Sequence, residues 1–136
     1  MSRKPKAYVL DTWTIIAYLQ DELAAEKIVE LIADAHEQEI PLYMSVVNVC
    51  EVWYILAREI SEAEADSSVN DLQRLGIQFQ ETDWDTAKEA ARFKAKGKMS
   101  LGDCFAAALA KELKADLMTG DNEFKPAESQ IKVLWL

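Results

Sequence analysis

Short apolar runs alternate along the chain with longer stretches of helical period. Ala7-Tyr8-Val9-Leu10 is an apolar run that ends at Asp11 and reads as a buried first strand. Thr12 can cap a helix over Trp13–Gln20. Between Glu22 and Glu39 the residues Ala24, Ile28, Leu31, Ile32 and Ala35 fall on one stripe, with acids and Lys27 opposite, so the spacing predicts an amphipathic helix. Pro41–Met44 reads as a second strand, entered through a proline as a strand's first residue permits. Ser45 can cap a third helix, Val46–Arg58, apolar nearly all round with Asn48 and Glu51 as its polar exceptions. Such a helix is expected to be buried on several sides, by the core or by a second subunit.

The second half continues the alternation. Ser61-Glu62-Ala63-Glu64 has the form of a capping box and opens a helix that ends before Gly76. Ile77–Gln80 alternates and predicts a third strand near a sheet edge, and Asp83 begins a helix that Gly97 stops. From Met99 to Phe124 the pattern is helix, turn and strand. Ser100 can cap a helix from Leu101, whose Ala106, Ala107, Ala108 and Ala110 permit close packing, and Leu117-Met118-Thr119 forms a short strand ending at Gly120. Ile131–Trp135 predicts the last strand. About five strands with crossover-length connections make an α/β protein with a parallel sheet and helices on both faces. The whole chain, residues 1–136, reads as one domain.

Composition narrows the chemistry. Twenty-four acids against 15 bases give a formal charge of −9, which argues against charge-driven nucleic-acid binding over the whole surface but leaves room for a local basic patch. The two cysteines, Cys50 and Cys104, fall within predicted helices and are expected to be buried, reduced thiols of a cytoplasmic protein. The basic, then apolar, N-terminus is interrupted by Asp11 and lacks a small-residue cleavage site, so no signal peptide and no membrane partner is expected.

Four acids stand out by position. Asp11 breaks an apolar stretch, Glu51 lies in a nearly all-apolar helix, Asp103 is in the first turn of a helix, and Asp121 follows a strand's carboxyl end. Each has an ordinary explanation: a helix cap for Asp11, a salt bridge with Arg58 for Glu51, a capping box with Ser100 for Asp103, a turn for Asp121. In an open parallel sheet, however, all four converge on the edge where ligands bind. Packed carboxylates repel and are driven toward protonation unless a cation is supplied. Hard oxygen donors without histidine or thiolate suit Mg²⁺ or Mn²⁺ rather than zinc. The lone histidine, His36, is expected on the surface, which leaves no Ser-His pair, and no phosphate-binding glycine loop is present. Metal-assisted phosphodiester chemistry is the natural use of such a site.

The same residues carry a resemblance to PIN-domain proteins, and within them to the small VapC-type ribonuclease toxins of toxin–antitoxin pairs. The family's hydrophobic strand running into Asp-Ser/Thr resembles Tyr8–Thr12, and its second acid resembles Glu51 after Ser45. Its Leu-x-Asp-x-x-x-Ala-x-x-Ala pattern resembles Leu101–Ala110, and its Thr-x-Asp-x-x-Phe pattern matches Thr119–Phe124. The resemblance covers essentially the whole chain. It implies a three-layer fold with strand order 3-2-1-4-5, an RNA substrate, a homodimer and a cognate antitoxin. It also implies a Mg²⁺ or Mn²⁺ site in which Asp11, Asp103 and Asp121 bind metal. Glu51 would be a ligand, an orienting group or the base, with Thr12 and Thr119 holding a water or a ligand oxygen. The expected RNA grip is Lys88, Arg92, Lys94, Lys96 and Lys98, with Arg3, Lys4 and Lys6 as a second set. The alternatives are a PIN-fold RNA- or protein-binding module without cleavage and a receiver-like regulator. The latter expects two adjacent acids after the first strand, where this chain has only Asp11.

Overall fold

The computed structural model describes residues 4–136. Five strands, β1 (Tyr8–Leu10), β2 (Leu42–Ser45), β3 (Ile77–Gln80), β4 (Asp116–Thr119) and β5 (Lys132–Trp135), form one sheet in the order β3-β2-β1-β4-β5. Every pairing is parallel, with Val9 opposite Tyr43 on one side and Leu117 on the other. The helices are α1 (Thr12–Leu19), α2 (Ala25–Glu37), α3 (Val46–Glu59), α4 (Glu62–Arg74), α5 (Trp84–Lys96) and α6 (Leu101–Leu113). The expected strand order and α/β class both hold.

Successive strand residues face opposite layers. Val9 and Leu117 enter one core with Phe93, Ala106–Ala110 and Phe124, whereas Leu10 and Met118 enter the other with Ile15, Ile28, Val52, Leu56 and Leu72. Both clusters are apolar and buried, so the sheet is covered on both faces and its strands read as continuous apolar runs. The alanines of α6 are at most 1 % exposed, because their short side chains let the helix lie against α5 and the sheet at once.

The chain reverses its direction of strand addition between β1 and β4, so a crevice opens at their carboxyl ends. Side-chain caps set the helices that enter it: Ser45 accepts from the Val47 amide at 3.2 Å, and Ser100 accepts from the Asp103 amide at 3.2 Å.

Several local expectations need correction. Thr12 does not cap α1; Asp11 does, its carboxylate accepting from the Thr14 amide at 2.9 Å. Helix α2 starts at Ala25 rather than Glu22, because the preceding turn holds Asp21 at φ 51° and leaves Leu23 fully in solvent. Helix α3 is not buried on several sides. It buries Asn48, Val49, Val52 and Leu56 while Val46, Cys50 and Tyr54, spaced four apart, face outward, so of the two thiols only Cys104 is buried. Between β4 and β5 the chain also forms a 3-10 helix, Asn122–Ser129.

Candidate metal centre

Asp11 is fully buried at the end of β1. Besides capping α1, its second oxygen accepts from the Thr119 hydroxyl at 2.6 Å, and Thr119 Oγ1 in turn accepts from the Asp121 amide at 3.0 Å. One threonine at the end of β4 therefore ties two of the acids together. Burial pushes the Asp11 carboxyl up to about 6, against the hydrogen bonds from Thr119 and Thr14, and the nearby Asp121 charge adds to the rise.

Glu51 belongs to a junction of three helices. Its Oε1 accepts from the Thr12 hydroxyl at 2.8 Å and from Asn48 Nδ2 at 2.9 Å. Asn48 is fully buried, and the same amide nitrogen lies 3.1 Å from the Gly102 carbonyl and 3.1 Å from Thr12 Oγ1. Three acceptors around one nitrogen fix which way the amide points, and they leave Asn48 Oδ1 without a partner. The expected Glu51–Arg58 salt bridge does not form, since the Arg58 guanidinium lies over the Tyr54 ring, 5.0 Å from its centroid. Asn48 stood out in the sequence only as a polar interruption. Its place one turn before Glu51 on an apolar helix was the available signal.

Asp103 opens α6 and is 9 % exposed. Burial, followed by repulsion from Asp121, Asp11 and Glu123, pushes its carboxyl up to about 7. Carboxylate oxygens of Asp103, Asp121 and Glu123 all lie within 4.8 Å of one another. Glu123 was missed in the sequence, although an acid two positions beyond Asp121 in a tight turn is well placed to rejoin it. All four expected acids thus reach the carboxyl edge of the sheet. The tightest oxygen set combines two of them with Glu123, while Asp11 approaches through Thr119 and Glu51 through the Asn48 junction.

Among the described residues no lysine or arginine forms an ion pair with any of these acids. Oxygen-only donors, burial and mutual repulsion that raises proton affinity together fit a hard divalent cation such as Mg²⁺ or Mn²⁺. A cavity of about 810 Å³ lies instead beside α1 and Leu136. Chemistry rather than volume marks the site.

The expected RNA-gripping residues divide. Arg92 is paired to Glu89 at 2.7 Å, and Lys94 Nζ donates to the Met99 carbonyl at 2.8 Å. Lys88, Lys96 and Lys98 are exposed, and Lys98 lines a small cavity with Asn122 and Glu123. Lys4 and Lys6 sit at the opposite edge of the sheet, and Arg3 lies outside the described residues.

The family model described as "PIN domain" matches residues 8–128. No curated protein sequence matches the chain. The fold is similar to the DNA-bound VapBC of Salmonella typhimurium, at TM-score 0.76 and 16% identity over 94% of this chain and 96% of the other. It is similar to VapBC2 of Rickettsia felis bound to a promoter DNA fragment, at TM-score 0.74 and 14% identity over 94% and 97%. It is also similar to Mycobacterium tuberculosis VapC20, a Sarcin-Ricin loop cleaving toxin, at TM-score 0.71 and 13% identity over 89% and 95%.

Proposed function

The chain belongs to the PIN-domain family, and from that premise we propose that it is a metal-dependent endoribonuclease, the toxin of a toxin–antitoxin pair. The observation that carries this reading is the convergence of Asp11, Asp103, Asp121 and Glu123 on the crevice between β1 and β4, two of them driven toward protonation and none paired with a cation among the described residues. The named activity of VapC20, cleavage of the Sarcin-Ricin loop, supports RNA as the substrate class.

In this reading Asp103, Asp121 and Glu123 hold Mg²⁺ or Mn²⁺ with Asp11 beside them. The bound ion supplies acidification of a water and charge neutralisation at the scissile phosphate. The protein's own groups do the rest. Thr119 orients Asp11 and Asp121 against each other, and Thr12 and Asn48 aim Glu51, which holds or accepts the proton of the attacking water. Lys96 and Lys98, close in sequence to Asp103, meet the phosphates that flank the cut.

A toxin–antitoxin complex from Klebsiella pneumoniae is among the structures of similar fold, which supports an antitoxin as the cognate partner. The exposed Val46–Cys50–Tyr54 stripe of α3 is a suitable face for it or for a homodimer. No helix among the described residues is long and apolar enough to cross a membrane.

The deciding experiment is cleavage of a mixed set of labelled RNAs with Mg²⁺, Mn²⁺ or EDTA, beside Asp11→Asn prepared identically. Cuts that need metal and vanish in the variant support the reading. RNA affinity without metal-dependent cuts moves it to a binding module.

A further inference from the structure

The cations that remain free of protein partners are not spread evenly. Lys4, Lys6, Lys114 and Lys132 frame a cavity of about 280 Å³ together with Pro5 and a single acid, Asp116. All four lysines are exposed. Among the described residues Lys4, Lys6 and Lys114 have no ion-pair partner, and Lys132 reaches Asp116 only at 4.0 Å. Four ammonium groups around one carboxylate leave a local excess of positive charge in a chain whose formal charge is −9. Such a concave concentration of one sign attracts the opposite sign and is relieved by binding it.

The position follows from the topology. Lys4 and Lys6 precede β1, Lys114 precedes β4 as the cap of α6, and Lys132 opens β5, so all four gather at the amino edge of the sheet. The acids lie at the carboxyl edge. Helix α6, 13 residues and about 20 Å long at ~1.5 Å per residue, separates Lys114 from Asp103.

We propose that the pocket framed by Lys4, Lys6, Lys114 and Lys132 binds the phosphodiester backbone of an RNA strand whose cleaved segment lies at the opposite edge. The lining favours phosphate over a protein partner. It offers flexible point charges, which suit phosphate oxygens, and no aromatic or large apolar residue that could anchor a peptide. The separation from the acids makes it a site of grip and not of chemistry. This inference rests on the RNA-substrate reading, and its test is run without turnover so that the two can fail separately.

The test is fluorescence anisotropy of labelled single-stranded RNA in EDTA. Lys114→Gly is the cleanest variant. Lys114 holds a left-handed backbone at φ 53°, where glycine ordinarily ends a helix, so the substitution removes a cation while holding or raising the melting temperature. The triple variant Lys4→Ser, Lys6→Ser, Lys132→Ser removes the others from exposed positions. Two strand lengths are compared, about 12 and about three nucleotides; at ~3.4 Å per nucleotide only the longer one spans both edges.

The expected result is an affinity loss of about tenfold or more for the long strand in the triple variant, with a salt slope shallower by about two. Lys114→Gly gives a smaller loss in a fully folded protein, and the short strand's affinity does not change. Unchanged affinity for the long strand overturns the proposal. So does an equal loss for both lengths, tighter binding of DNA of the same sequence, or a preference for polyglutamate over RNA. If no metal-dependent cutting is ever found, the nuclease reading fails while the binding loss still stands.

Discussion

The Glu51 carboxylate occupies the space that a Cβ on residue 102 would need, so α6 closes on α3 only because that residue is Gly102. The Gly102 carbonyl also accepts from buried Asn48 Nδ2 at 3.1 Å, which holds the contact in register. A glycine inside a helix costs roughly 0.5–1 kcal/mol relative to alanine, and here the close approach offsets that cost. Gly102→Ala is expected to displace Glu51 and to lower cleavage about a hundredfold. Stability moves little, since the helix gains propensity while the junction is overpacked. Single-turnover rates beside thermal melts check this; a rate equal to the parent's removes Glu51 from the working site.

Thr119 makes two hydrogen bonds that a valine of the same shape cannot. Thr119→Val deprives Asp11 of a donor at 2.6 Å and the Asp121 amide of an acceptor at 3.0 Å. A loss of about 1–3 kcal/mol in urea denaturation is expected. The Thr119 bond holds the Asp11 carboxyl down against burial, so its removal raises that group further. The acid limb of the pH–rate profile then moves to higher pH, and Thr119→Ser restores it.

The buried acids also set the pH dependence of stability. Asp11 titrates near 6 and Asp103 near 7 in the folded protein, both above the ordinary carboxyl value of 3.8. Between those limits the folded state binds more protons than the unfolded one. Their contribution is therefore fully present below about pH 4 and is lost as pH rises through about 6 to 7. Metal-free protein should lose stability over that window. Asp103→Asn should flatten the loss and raise the melting temperature at pH 8, by on the order of 1–3 kcal/mol of stability. Mn²⁺ should raise the parent's melting temperature more at pH 8 than at pH 5, because only ionised carboxylates bind it. A melting temperature indifferent to both pH and Mn²⁺ speaks against a metal centre.

Local sequence signals carried the fold because each was enforced by backbone chemistry. Ser45, Ser61, Asp83 and Ser100 all cap the helices expected after them, each accepting from a first-turn amide. Asp11 shows why single-residue readings fall short: the helix cap and the site acid are two oxygens of one carboxylate, and choosing between them was unnecessary. Glu123 and the Asn48 junction were less legible, since both depend on distances across 20 residues or more. Asn48 meets Gly102 across 54 positions, and nothing in a local window announces that partner. The outward stripe Val46–Cys50–Tyr54 was hidden for a different reason, because a helix apolar all round does not say which side the core takes.

Asn48 offers the sharpest separation of positioning from packing. Its Nδ2 is shared among Glu51 Oε1, Thr12 Oγ1 and the Gly102 carbonyl, in a place without exposure. Asn48→Ala takes a second donor from the Gly102 carbonyl and leaves Glu51 held by Thr12 alone, an expected cost of about 1–3 kcal/mol. Asn48→Asp keeps the shape but turns an acceptor toward three acceptors. It should be the more damaging change at pH 8 and recover in part near pH 5, where a protonated carboxyl can donate again. Calorimetric titration with Mn²⁺ distinguishes the roles. If Asn48 aims Glu51 toward the ion, Asn48→Ala weakens Mn²⁺ binding about tenfold, on the scale by which outer partners tune metal sites. If it only joins three helices, Asn48→Ala melts earlier, yet its folded fraction binds Mn²⁺ as the parent does.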